Sequence, residues 1–177
     1  MNNIISIDET SIDSHICSDY GWSKSGTRIQ NKITHSKIRY SLILAINRKE
    51  IIHKELIKGS TNGEFFFKFI KNLVKKLKPK KNNYILLDNA RIHHYKKVKE
   101  FIDMQLKIKL IYNIPYSPET NPIERVFNDI KRILKTKKIN NFNLIDQIEK
   151  SLITVNNSDN FYAYYKKSLI DEIKKMK

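Results

Sequence analysis

Cysteine, glycine and proline are scarce in this sequence. Its 177 residues include one cysteine, four glycines and four prolines. A single cysteine, Cys17, excludes a disulfide framework and a zinc site made of several thiolates. So few glycines and prolines leave no flexible linker, and the length suits one domain with its own hydrophobic core.

Long apolar runs are missing as well. The longest covers residues 42–46, far fewer than the roughly 20 residues that a membrane-spanning helix needs. The N-terminus has no basic segment followed by an apolar stretch, so we predict no signal peptide. These absences favour a protein that is neither secreted nor membrane-bound and that works in the cytoplasm or at the nucleoid.

Acidic residues are outnumbered. The chain has 18 Asp and Glu against 34 Lys and Arg, which gives a formal net charge of +16. Such a balance favours a polyanionic partner, nucleic acid first. An AT-rich coding sequence would also produce it, since Lys, Asn and Ile are abundant together and 28 of the basic residues are Lys. Charge alone leaves both interpretations open.

The hydrophobic pattern predicts alternating strands and helices. Pro79 is expected to end the first helix, and Asn121 to cap the third, with Pro122 in its first position. The order predicts an α/β fold with one central sheet. The predicted strands are 3–7, 37–46, 51–57, 84–87 and 108–112, and the predicted helices are 65–77, 96–104, 122–134, 144–155 and 161–176.

Three acidic residues stand at the ends of these elements. Asp8 and Asp88 each follow a predicted strand, and Glu124 lies in the first turn of a helix. Neighbouring parallel strands end at one edge of a sheet, so these side chains are expected to meet there. Clustered carboxylates repel one another unless cations neutralise them. Their oxygens favour Mg²⁺ or Mn²⁺, and two such ions would suit phosphodiester chemistry.

Each acid also has a simpler explanation. Asp8 would fit a turn or a helix cap, and Asp88 with Asn89 is a common turn pair. Glu124 follows Asn121 by three residues, which is the spacing of a capping box. Only the three positions taken together therefore indicate catalysis.

Three sequence blocks also indicate catalysis: residues 7–10 (Ile-Asp-Glu-Thr), 87–94 (Leu-Asp-Asn-Ala-Arg-Ile-His-His) and 116–125 (Tyr-Ser-Pro-Glu-Thr-Asn-Pro-Ile-Glu-Arg). With them the chain resembles DDE transposases of the mariner-type group, in particular the bacterial insertion-sequence branch. The resemblance implies an RNase H-like catalytic domain over residues 1–140, a mixed five-stranded sheet flanked by helices. Residues 141–177 would form C-terminal helices that pack on it or extend it.

The resemblance also implies a reaction and its participants. Asp8, Asp88 and Glu124 would bind two Mg²⁺ or Mn²⁺ ions per active site. An activated water would cut double-stranded DNA at a transposon end, and the freed 3′-hydroxyl would attack target DNA. A homodimer is expected, because two ends must be paired. Family members carry a helix-turn-helix region before the catalytic domain, and this chain begins seven residues before Asp8, so we expect that region to be absent or on a separate half.

Five further residues are candidates for supporting roles or DNA contacts. Glu9 would support the acids, or it would be solvated or act as a cap. Asn89 and Asn121 would shape their turns, and Asn89 would also be able to orient Asp88. His94 is assigned as the family's histidine and would touch DNA, or pack its loop. Arg125 begins a basic run with Lys131, Arg132 and Lys135, which suits DNA backbone contacts or a solvated helix face.

Two other functions remain open. A related RNase H-like nuclease, such as a junction resolvase, would use the same acids without strand transfer. An inactive or truncated remnant would only bind DNA through its basic surface.

Overall fold

A computed structural model describes residues 3–18, 21–28, 37–77, 82–114 and 117–175. Its strands form one five-stranded sheet in the order β3-β2-β1-β4-β5. The strands are β1 (Asn3–Asp13), β2 (Arg39–Ile46), β3 (Ile51–Lys58), β4 (Asn83–Leu87) and β5 (Ile108–Tyr112). The helices are α1 (Gly63–Lys76), α2 (Lys96–Asp103), α3 (Ile123–Lys135), α4 (Leu144–Asn156) and α5 (Phe161–Lys175).

The sheet is mixed, as expected. β1 pairs antiparallel with β2 and parallel with β4, and β4 pairs parallel with β5. β2 and β3 form an antiparallel hairpin, in which the Asn47 side chain accepts hydrogen bonds from the backbone of Lys49 and Glu50. The predicted α/β class and the mixed five-stranded sheet are confirmed.

The first strand is longer than the sequence predicted. It was expected to end before Asp8, but its pairing with β2 continues to Asp13. The local sequence of residues 9–13 does not predict a strand, because most of their side chains are polar. Pairing with β2 supplies the backbone hydrogen bonds that make them one. The parallel pairing with β4 stops at Ser6. Asp8 therefore lies just past the point where β1 and β4 separate.

Two hydrophobic clusters cover the two faces of the sheet. Alternation along β1 sends Ile5 and Ile7 toward one face and Ile12 toward the other. The first face packs on α1 and α2, and the second on α3, α4 and the start of α5. Helices on both faces of one sheet give a three-layer domain that fixes the strand ends near Asp8 and Asp88.

Some local predictions need correction. Asn121 does not cap α3 with its side chain; that side chain accepts a hydrogen bond from Ser6 Oγ instead. Short 3₁₀ turns at Arg91–His94 and Pro118–Thr120 were not predicted. Pro79, expected to end the first helix, lies outside the described residues, as does Tyr116 of the third sequence block. Among the described residues no helix has the length and apolarity to cross a bilayer.

Candidate active site

Asp8 projects from the middle of β1 and is only 8% exposed. Its Oδ1 accepts a hydrogen bond from the Glu9 backbone N–H at 2.7 Å. Burial raises the pKa of Asp8 to about 7, and the nearby charges of Asp88, Glu9 and Glu124 add to the rise. Asp8 therefore keeps its proton until neutral pH, because burial and the neighbouring acids both disfavour its charged form.

Asp88 follows β4 directly and is half-buried. Its Oδ1 lies 2.5 Å from His93 Nδ1 and accepts a hydrogen bond from the Ala90 backbone N–H at 2.9 Å. The hydrogen bond from His93 lowers the pKa of Asp88 most, and that from the Ala90 N–H lowers it further, so the pKa lies below its ordinary value. Two neighbouring acids thus have opposite environments: Asp88 is ionised while Asp8 retains its proton.

Glu124 lies in the first turn of α3, where the helix dipole favours a negative charge. Burial raises the pKa of Glu124, and so does the charge of Asp88, while Lys131 and a hydrogen bond with Asp8 lower it. The three predicted acids, from two strands and one helix, therefore interact at one edge of the sheet.

The donors at this edge fit a divalent cation. Asp8, Asp88 and His93 offer ligand atoms that all lie within 4.8 Å of one another, and Glu124 adjoins this group through Asp8. Carboxylate oxygens are the ligands that Mg²⁺ and Mn²⁺ prefer. Such an ion would take the place of the proton that burial and the neighbouring negative charges keep on Asp8.

His93 is the residue that the sequence argument missed. It is 1% exposed, its ring lies 4.7 Å from that of Phe66, and its Nε2 lies 3.1 Å from a Glu9 carboxylate oxygen. Burial alone would lower the pKa of His93, but hydrogen bonds to Asp88 and Glu9 raise it to about 10. A buried cationic imidazole therefore joins two acids.

The assignment of the family's histidine to His94 needs correction. His94 is exposed and stacks on Tyr112, with ring centroids 4.4 Å apart, which agrees with the loop-packing alternative. Counted from Asp88, the spacing Asp-Asn-Ala-x-x-His ends at His93. By this count His93 matches the motif, and a contact between His94 and DNA stays a prediction.

The other candidates lie around the three acids. The Asn89 side chain donates to the Asn113 carbonyl at 2.7 Å, so it ties the loop after β4 to the end of β5 rather than orienting Asp88. Asn121 is 2% exposed and accepts from Ser6 Oγ. Arg125 is partly buried, next to Glu124 on α3.

Ser6 is a second residue that the sequence did not identify. It lies two residues before Asp8, and its partner Asn121 lies three residues before Glu124. The bond therefore links the strand that carries one acid to the helix that carries another. A buried serine between Ile5 and Ile7 was the only signal, because nothing in the sequence names its partner.

The comparisons with known proteins agree with this arrangement. A family model described as DDE superfamily endonuclease matches residues 3–146. Among solved structures, the Mos1 strand transfer complex is 19% identical with a TM-score of 0.73, covering 93% of this chain and 50% of that one. A mariner Mos1 paired end complex with Mg has 18% identity, a TM-score of 0.74 and coverages of 94% and 51%. The corresponding complex with Mn has 19% identity, a TM-score of 0.70 and coverages of 93% and 51%.

These likenesses confirm the RNase H-like fold. The chain spans about half the length of the Mos1 chains that it matches. No curated protein sequence matches it significantly.

Proposed function

The chain belongs to the DDE superfamily endonucleases, and we propose that it is the catalytic domain of a cut-and-paste DNA transposase. The observation that carries the proposal is the meeting of Asp8, Asp88 and Glu124 at one edge of the sheet, where their charges act on one another. We assign these three residues as the catalytic metal ligands. Family membership makes nuclease chemistry the expected activity of such a site.

The proposed cofactor is Mg²⁺ or Mn²⁺, two ions per active site. When bound, the ions would activate the attacking oxygen and stabilise the leaving oxygen of a phosphodiester. Each residue of the chain has a distinct task. Asp8 gives up its proton near neutral pH, Asp88 is held ionised by His93 and the Ala90 N–H, and Glu124 is held by the first turn of α3.

The proposed reaction has two steps. In the first, water forms a new bond to phosphorus at a transposon end and the bond to the 3′-oxygen breaks, which leaves a free 3′-hydroxyl. In the second, that hydroxyl attacks a phosphodiester of target DNA, and the target's own 3′-oxygen leaves. Both steps are in-line displacements, so one fixed set of carboxylates serves both.

Double-stranded DNA is the proposed partner, both as transposon end and as target. The net charge of +16 favours it, and the basic residues that follow Glu124 on α3 would contact the backbone. We further propose a homodimer, since two ends must be paired, with end recognition by a helix-turn-helix segment outside residues 1–177. The protein would act wherever host DNA lies, at the nucleoid in the cytoplasm.

Cleavage and strand transfer test the proposal directly. Purified protein is incubated with Mg²⁺ or Mn²⁺ and duplexes from the DNA that flanks this gene, some with pre-cut 3′ ends. We expect cleavage of intact duplexes, joining of pre-cut ends to plasmid DNA, and loss of both in Asp8→Asn. Asp13→Asn is the matched control, because Asp13 lies on the same strand but pairs with Lys37 at 3.0 Å.

Two outcomes would favour the other candidates. Cleavage without any joining of pre-cut ends would indicate a resolvase-like nuclease. DNA binding without cleavage under either metal would indicate a remnant that only binds DNA.

A further inference from the structure

Both ring nitrogens of His93 are occupied by different acids. Nδ1 faces Asp88, at 2.5 Å from Oδ1 and 3.2 Å from the Asp88 backbone carbonyl oxygen, and Nε2 faces both oxygens of Glu9 at 3.1 and 3.2 Å. A histidine that binds a metal needs one nitrogen with a free lone pair. His93 lies close enough to Asp8 and Asp88 to share an ion with them, but it has no nitrogen left for one.

The ring is also fixed in place. Phe66 packs against it with centroids 4.7 Å apart, and the Tyr112 hydroxyl donates to the His93 carbonyl at 3.4 Å. No part of the side chain is exposed, and its partner Glu9 is only 14% exposed. Buried groups with this packing hold one orientation, so His93 can impose that orientation on what it binds.

Glu9 comes from the opposite face of β1 to its neighbour Asp8, because adjacent residues of a strand alternate in direction. Asp8 therefore faces α3 and Glu124, while Glu9 faces α1 and His93. The chain thus uses adjacent acids on one strand for two tasks. Asp8 contributes to the cluster of carboxylates, and Glu9 binds His93, which in turn binds Asp88.

We propose that His93 and Glu9 form a positioning pair that fixes the Asp88 carboxylate for metal binding, with His93 itself not a ligand. The inference rests on the proposed function. His93 and the Ala90 N–H both engage Oδ1 of Asp88, which leaves Oδ2 for the cation. Without the pair, the broad terminal torsion of aspartate lets the carboxylate rotate, and metal binding must order it.

The test is titration of the full chain with Mn²⁺ alone, without DNA, followed by calorimetry. Three variants separate the contacts. His93→Phe keeps the packing on Phe66 and removes both polar contacts. His93→Asn keeps a donor at the Nδ1 position and loses the contact with Glu9. Glu9→Gln removes the charge that holds Nε2.

We expect His93→Phe to weaken Mn²⁺ binding by roughly 10-fold or more, and His93→Asn and Glu9→Gln to weaken it less. Adding Glu9→Gln to His93→Phe should cause little further loss, because Glu9 acts through His93. If the Glu9 charge instead acted directly on the cation, adding Glu9→Gln to His93→Phe would weaken Mn²⁺ binding further.

His53→Phe is the matched control. His53 is also buried, stacks on Phe69 with centroids 4.7 Å apart and lies 3.4 Å from a carboxylate oxygen of Glu55. It belongs to β3, and the charged groups that act on it are Lys76 and Glu55 rather than any of the three acids. We expect its replacement to leave Mn²⁺ affinity unchanged. Thermal unfolding of every variant identifies any that fails to fold, in which case Glu9→Gln and His93→Asn decide.

The outcomes distinguish the two proposals. If the native chain binds Mn²⁺ and Asp8→Asn does not, the metal site stands. The positioning pair is then overturned if His93→Phe binds like the native chain, or if both His93 variants abolish binding while Glu9→Gln has no effect, since His93 would then be a ligand. A native chain that does not bind Mn²⁺ overturns both proposals.

Discussion

At the scale of single residues, the site depends on the different environments of two aspartates, Asp8 and Asp88. Asp8 is buried among other acids, and Asp88 is held by a buried imidazole and a backbone N–H. Opposite shifts of two neighbouring pKa values keep one proton in the site without a cation. A divalent ion then competes with that proton at Asp8, whereas Asp88 is already ionised.

The raised pKa of Asp8 predicts a dependence of stability on pH. The folded pKa of about 7 lies above the ordinary value of 3.8 for an aspartate, so the folded state holds the proton more tightly. This contribution is complete below about pH 4 and is lost as the pH rises to about 7. At about 1.4 kcal/mol per pKa unit, the loss is on the order of a few kcal/mol.

Asp8→Asn should remove this loss. In chemical denaturation without metal, the native chain should become less stable between pH 4.5 and 8 relative to Asp8→Asn, and Asp13→Asn should follow the native curve. Mg²⁺ at pH 8 should stabilise the native chain but not Asp8→Asn. Parallel pH curves for the native chain and Asp8→Asn would show that Asp8 does not carry the excess proton.

The sequence could predict the three acids but not the residues that hold them in place. Asp8, Asp88 and Glu124 stand next to clear strand and helix signals, and those signals place them at one edge of the sheet. Glu9 and His93 are 84 positions apart, and only the folded chain brings them together. Counting the spacing from Asp88 would have identified His93, but not its contact with Glu9.

At the scale of elements, the link between β1 and the start of α3 sets the distance between Asp8 and Glu124. One hydrogen bond of this link runs from Ser6 Oγ to Asn121 Oδ1, beside the packing of Ile12 on α3. Tyr165 of α5 adds a second anchor on the same residue, because its hydroxyl accepts from the Ser6 backbone N–H at 3.2 Å and donates to the Ile46 carbonyl at 3.0 Å. Ser6 is therefore tied to two helices at once.

Ser6→Ala should weaken Mn²⁺ binding as well as the fold. It leaves the buried Asn121 oxygen without its partner, which costs about 1–3 kcal/mol. Ser41→Ala is the control, since Ser41 is another buried strand serine, whose Oγ donates to the Gly59 carbonyl at 2.6 Å. Urea denaturation should give similar losses for both, and Mn²⁺ titration a loss for Ser6→Ala alone. Equal Mn²⁺ affinities would show that the bond only supports the fold.

Elements with strong local signals were predicted well. β5 agrees at both ends, and α3 and α4 agree to within one or two residues. The second half of β1 and the two 3₁₀ turns were missed, because tertiary partners rather than local pattern stabilise them. Asn121 was interpreted as a cap for the same reason: its local spacing fits a capping box, but Ser6 binds its side chain.

At the scale of the whole molecule, the positive charge gives the proposed DNA contacts a measurable signature. Each phosphate contact contributes about 0.9 to the slope of log affinity against log salt. Lys131 is the basic residue whose charge reaches Glu124, so it lies near the acids and near any phosphate bound there. From the sequence alone, a lysine that binds DNA could not be distinguished from one that results from AT-rich codons.

Lys131→Gln should weaken binding of duplex DNA to a similar degree for all sequences and reduce the salt slope by about one. Lys150→Gln, on α4, is the control, because Lys150 already pairs with Asp146 at 2.8 Å. Fluorescence anisotropy over a series of KCl concentrations measures both variants. Identical slopes for Lys131→Gln and the native chain would place the DNA away from the start of α3.

The most direct measurement of the central claim is anomalous diffraction from crystals of the native chain grown with Mn²⁺. We predict two manganese peaks among Asp8, Asp88 and Glu124, about 3.5–4 Å apart, with no peak on either nitrogen of His93. Manganese bound only elsewhere, or no anomalous signal at this edge of the sheet, would contradict the account.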